Sequence, residues 1–140
     1  DCTHYFKTGK FSTLKTAIRA GCYISPEIFR NDLFQIGGYK LMRGFDEESI
    51  YATSYGVVTA EYRLLFGLNS YLSFFSDYGM TRFKYNYNDV QRNFLGLGTG
   101  ILIETKAGLL NLSYAIGKRS DLDFNIRESS KIHFGYINYF

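Results

Sequence analysis

One arginine and two carboxylates carry the chemistry that stands out in this chain. Arg43 heads the tripeptide Arg43-Gly44-Phe45, Asp77 sits in Phe74-x-x-Asp77-x-Gly79, and Glu61 lies between the two motifs. A guanidinium presents a planar fork of donors that can bridge two carboxylates, and it stays charged at any relevant pH. The expected chemistry is an ion-pair clasp, not bond making. Taken singly, Arg-Gly-Phe is most often a surface turn and a strand aspartate is most often a solvated acid. The clasp reading gains from position. Arg43 lies in a loop spanning about residues 25–50, whose stretch from Phe34 to Phe45 is unusually apolar. A loop that long is expected to be functional or folded back onto something.

The elements that must hold these groups read as strands, because period-two alternation recurs with few breaks. Over 12–24, Leu14, Thr16, Ile18 and Cys22 share one face while Lys15, Ala17 and Arg19 share the other. Over 51–65, Val58, Ala60, Tyr62 and Leu64 oppose Thr59, Glu61 and Arg63, and over 68–82 Leu72, Phe74, Tyr78 and Met80 oppose Ser73, Asp77 and Thr81. Segments 94–104, 106–118 and 131–140 alternate likewise, and 2–7 reads as part of a further strand. By parity, Glu61 and Asp77 point to one face. Short turns are expected near Gly9, Gly67 and Lys106, and long polar loops at about 25–50, 83–91 and 119–130. Tight turns and long loops then alternate along the chain, as in outer-membrane barrels. Strands of ~10–14 residues suit a tilted crossing better than the ~5–6 of ordinary sheets.

Composition agrees. Tyr and Phe number 13 each, Gly 14 and Pro 1, with no Trp, which favours strands over helices. Mean hydropathy is −0.16, and no apolar run reaches the ~18 residues of a transmembrane helix. Tyr62, Tyr78, Tyr114 and Tyr136 would form an aromatic girdle on the outward faces. The net charge of +3 comes from 16 basic and 13 acidic residues without a basic run, so nucleic acid is not an expected partner. Cys2 and Cys22 read as incidental, because a hairpin turning near Gly9 would put Cys2 opposite about residue 16, out of disulfide reach. Asp1 opens directly into strand-like sequence, so the chain reads as processed or truncated.

Enzyme signatures are lacking. Gly96-x-Gly98-x-Gly100 is not followed by a helix, as a dinucleotide loop would be; inward-facing glycines instead leave room for an inserted loop. His4 and His133 have no Cys or carboxylate cluster at metal spacing. Ser, His and Asp occur only scattered. Neither a catalytic residue nor a cofactor or metal is expected.

The two motifs, in this order, resemble those of the polypeptide-transporting outer-membrane barrels of the BamA/TamA type, which include the two-partner secretion transporters. The fold class is then all-β: an antiparallel transmembrane β-barrel of which about seven C-terminal strands are present, out of the sixteen that the resemblance implies. Seven strands cannot close in lipid without an unpaired edge, so the remaining strands are expected to be missing or supplied by another chain. Residues 1–140 form one domain, the C-terminal portion of such a barrel, with the 25–50 loop folding inward. The resemblance implies that Arg43, Gly44 and Phe45 are a loop latch, with Glu61 and Asp77 as its lumenal partners and Phe74 and Gly79 completing the strand motif. It also implies that the terminal strand, with Phe134, Gly135, Tyr136 and Phe140, is an assembly signal. Asn138 departs from that signal, where an apolar residue is usual.

By the same resemblance, the protein would reside in the outer membrane of a Gram-negative bacterium and insert or translocate polypeptides there. Its expected partners are outer-membrane lipid, unfolded barrel or secreted polypeptides, and the remaining strands, together with periplasmic domains or accessory lipoproteins. Two other roles keep the barrel: dedicated secretion of one partner, or anchoring an upstream lipid-hydrolysing domain. A soluble all-β binding module is the alternative of another class.

Overall fold

Alternating side chains with β-branched and aromatic residues form strands because each strand can then dry one face while the other meets different surroundings. The computed structural model describes residues 1–25, 30–85, 88–123 and 125–138. Seven strands make one sheet: β1 (Cys2–Lys7), β2 (Ser12–Cys22), β5 (Ser54–Leu65), β6 (Tyr71–Tyr85), β7 (Asn88–Thr105), β8 (Gly108–Arg119) and β9 (Ser130–Asn138). They lie in chain order and every neighbouring pair is antiparallel. The sheet is not closed on itself; β1 and β9 are its edges among the described residues. Strands make up 71% of the structure. Two shorter strands, β3 (Phe34–Ile36) and β4 (Ile50–Ala52), form a separate ribbon within the long connection from β2 to β5.

The two faces differ. One is apolar and open, with rows crossing strand after strand: Leu64, Leu72, Ile101, Leu112 and Phe134 are successive partners, as are Leu14, Tyr62, Phe74, Thr99, Tyr114 and Ile132. Tyr62, Tyr78, Tyr114 and Tyr136 are all exposed on it. The other face is covered by the long connection. Ile36, Met42 and Ile50 from that connection pack against Val57 and Phe94 of the sheet, with Phe45 and Tyr55 beside them. A sheet whose apolar residues face outward and whose core is lent by a loop is the inverse of a soluble sandwich.

Three expectations need correction. The polar stretch 83–91 is not a long loop: the β6–β7 ladder continues through Phe83↔Val90 and Lys84↔Asp89 to Tyr85↔Asn88. Backbone pairing needs no apolar face, so a hairpin standing in water can be polar on both sides. At 18 residues, β7 is about twice the ~9–11 that a crossing requires. The strand expected over 51–65 divides at Thr53, which bonds to both neighbours. Its N–H and hydroxyl donate to the Arg82 carbonyl at 2.9 and 2.8 Å, while its own carbonyl accepts from Tyr23 N. Residues 50–52 are thereby released to pair with β3. In the first hairpin, Cys2 lies opposite Ile18 instead of residue 16; both cysteines are free and exposed.

The short turns close as expected. At the β7–β8 turn the Thr105 hydroxyl donates to the Gly108 carbonyl at 2.8 Å and accepts from its N–H at 3.2 Å. The connection after β8 ends in a single helical turn, α1 (Ile126–Ser129), capped by the Asn125 side chain.

Candidate functional site

Glu61 and Asp77 reach one face from adjacent strands. Glu61 pairs with Phe75 across the β5–β6 ladder, so Asp77 is its diagonal neighbour two residues along, a separation that long side chains can bridge. The Phe75 ring, on the same face, reaches over β7, where an added Cβ on Gly98 would lie 2.6 Å from its tip.

Arg43 enters from above and uses nearly all of its fork. Nε donates to Asp77 Oδ2 and Nη2 to Asp77 Oδ1, both at 2.8 Å, and Nη1 donates to Glu61 Oε2 at 2.5 Å. The Arg43 backbone N–H adds a bond to Asp77 Oδ2 at 3.2 Å. The guanidinium carbon lies 3.5 Å from the centre of the Phe75 ring, a cation–π contact. The remaining Glu61 oxygen accepts from Arg63 Nε at 2.6 Å, and Arg63 stacks over Tyr71. Asp77 is 1% exposed, Glu61 3% and Arg43 9%. Burial works against the Arg43 charge, but the hydrogen bonds and charges of Asp77, and then of Glu61, outweigh it and raise its pKa above the ordinary value.

Glycines make the close approach possible. Asp77, Gly96 and Gly117 are successive cross-strand partners, so the sheet beside the acid carries no side chain for two strands. A Cβ on Gly96 would sit 2.1 Å from the Arg43 carbonyl oxygen, and one on Gly117 would sit 2.4 Å from that of Gly44. Gly44 has φ +93°, and its own Cβ would strike the β8 backbone at 2.8 Å. Gly79 leaves room for Met42, whose sulfur would lie 3.1 Å from an added Cβ. Phe45 then packs edge-on against Phe94, ring centres 5.3 Å apart.

Other contacts tie the same loop across the sheet. Arg19 Nη1 of β2 donates to the Lys40 carbonyl, Asn111 of β8 bonds the Tyr39 hydroxyl, and Lys131 of β9 pairs with Asp46 at 2.7 Å.

Of the residues singled out by sequence, Arg43, Gly44, Phe45, Glu61, Asp77 and Gly79 come together here. Phe74 does not: it lies on the opposite face, half exposed. Phe134 and Tyr136 are also on the open face, and the Tyr136 hydroxyl donates to the Ala107 carbonyl at 2.9 Å. Gly135 faces inward opposite Asn111. Phe140 lies outside the described residues. Sequence reasoning missed Phe75, Met42 and Gly117, and it assigned no role to Arg63. Parity was the available signal, since Phe75 and Arg63 each stand two residues from an acid already placed on the inner face.

Comparison with known families matches residues 3–136 to the Omp85 superfamily domain. The chain belongs to the Omp85 superfamily. Neither curated proteins nor solved structures yield a match. Omp85 proteins are outer-membrane β-barrels concerned with inserting or translocating polypeptides, and the open apolar sheet face fits that setting. Among the described residues no cluster of metal-ligating side chains occurs.

Proposed function

We propose that this chain forms the loop-bearing wall of an Omp85 barrel in the bacterial outer membrane, where it assembles or threads other polypeptides. The observation that carries the reading is the Arg43 fork on Asp77 and Glu61, set over a strip of sheet cleared by Gly96 and Gly117. A loop held this way braces one side of a lumen. Unpaired strand edges are prohibitively costly in hydrocarbon, so further strands, from this or another chain, complete the cylinder. The outer edge of β9 suits augmentation by an incoming strand. Phe134 and Tyr136 on its lipid side would serve this barrel's own insertion. The work is mechanical, and no catalytic step falls to these residues.

The test is a double-mutant cycle in the full-length protein, with Arg43→Ala, Asp77→Ala and the pair scored for heat-resistant gel mobility and for substrate levels in the outer membrane. Strong non-additivity is expected. Additive effects, or full activity in both single variants, would remove the clasp from the function.

A further inference from the structure

Beside the clasp, toward the short-turn end of the sheet, the covered face holds a cavity of about 490 Å3. Five basic side chains line it, Lys15, Arg19 and Arg63 from the strands and Lys40 and Arg43 from the loop, and its only acidic lining residues are Glu61 and Asp77. Arg19 is paired outside the lining with Asp1 at 3.1 Å, which leaves Lys15, Lys40 and Arg63 to set the charge of the space. The two acids are already committed. All four of their oxygens accept from Arg43 or Arg63. Lys15, opposite Glu61 in the ladder, makes no hydrogen bond or ion pair among the described residues. Arg63 engages Glu61 through Nε alone, so its outer nitrogens keep donors to spare. On the far wall Ser113, 3% exposed, lines the same cavity, and its hydroxyl has no hydrogen-bond partner. Buried hydroxyls are nearly always paired, so this one is a donor without an acceptor on the wall of the cavity.

From this excess of positive charge, its spare donors and the unpaired hydroxyl, we infer a binding site for an anionic oxygen group, a carboxylate or a phosphate. Low-dielectric walls focus such a field. Lys15 supplies a mobile point charge, Arg63 a planar fork and Ser113 a neutral donor. The carboxylate could belong to a polypeptide passing through the lumen, and the phosphate to a free anion. The site needs only the folded wall and does not depend on the transport role proposed above.

Equilibrium dialysis of the full-length protein in zwitterionic detergent tests it, with radiolabelled pyrophosphate and a labelled hexaglutamate peptide as probes. Saturable binding is expected, weakened about tenfold by Lys15→Gln, the effect of losing one charge-assisted hydrogen bond. Lys15→Arg should restore it, Ser113→Ala should weaken it less, and Lys118→Gln on the open face should leave it unchanged. Binding of the peptide supports the site and assigns it to a passing chain; binding of pyrophosphate alone supports it and assigns it to free anions. No binding of either probe would overturn the site. So would binding that is equal in the unaltered protein, Lys15→Gln and Ser113→Ala.

Discussion

Two arginine–aspartate pairs in this molecule share nearly the same chemistry and differ in everything around it. Arg43 grips Asp77 through two parallel bonds under the loop, with side chains 10% and 1% exposed. Arg82 grips Asp89 through Nε and Nη2 on the protruding β6–β7 hairpin, with side chains 58% and 40% exposed. The first joins residues 34 apart in sequence and ties a loop to a sheet. The second joins neighbouring strands of a ladder already paired along its backbone. A charge pair gains structural weight when water cannot replace either partner, and when its partners are not otherwise tethered.

That contrast can be broken most severely at Arg43. Replacing it with alanine leaves Asp77 and Glu61 buried without their main cation. Loss of one partner from a shielded pair costs about 3–5 kcal/mol, read as a lower temperature for loss of the heat-resistant gel band in the full-length protein. Asp77→Ala should approach the same effect. A near-normal band would show that water reaches the pair.

The next largest effect is steric. Gly96→Val would drive a side chain into the Arg43 carbonyl, and overpacking of this kind typically costs about 1–3 kcal/mol. Because the loop must lift, protease cleavage within 30–50 should rise while the strands stay protected. Unchanged cleavage would mean that the loop has a second seat. Phe45→Ala comes third. It forfeits the edge-on contact with Phe94, a pair worth about 0.5–1.5 kcal/mol beyond its buried area, and should loosen the loop without unseating Arg43. The smallest effect belongs to the exposed pair. Arg82→Ala should leave thermal stability and loop protection unchanged, and a loss comparable to that of Arg43→Ala would erase the difference between the buried and the exposed pair.

Much of this architecture was legible from alternation. Which residues of β2, β5 and β6 face inward follows from parity, because a strand has only two faces. The inward stretch Gly96, Gly98 and Gly100 announced cleared space before any loop could be placed over it. Polar composition misled at 83–91, where backbone pairing continues regardless of side-chain polarity. The break at Thr53 was invisible for another reason: its hydrogen bonds run to Tyr23 and Arg82, residues that nothing local connects to it.

By itself, then, the amino-acid order determined the central course of the seven sheet strands, their faces, the types of group available for a clasp and the lack of an apolar run long enough for a membrane helix. These are matters of local periodicity and side-chain chemistry. It could not determine that Glu61 and Asp77 stand diagonal to one another, that Phe75 stacks beneath the guanidinium, or that Gly117, far along the chain, clears the path for Gly44. Those facts depend on strand register and on how deeply the loop descends. Register and depth are set by many weak contacts acting at once across residues distant in the chain.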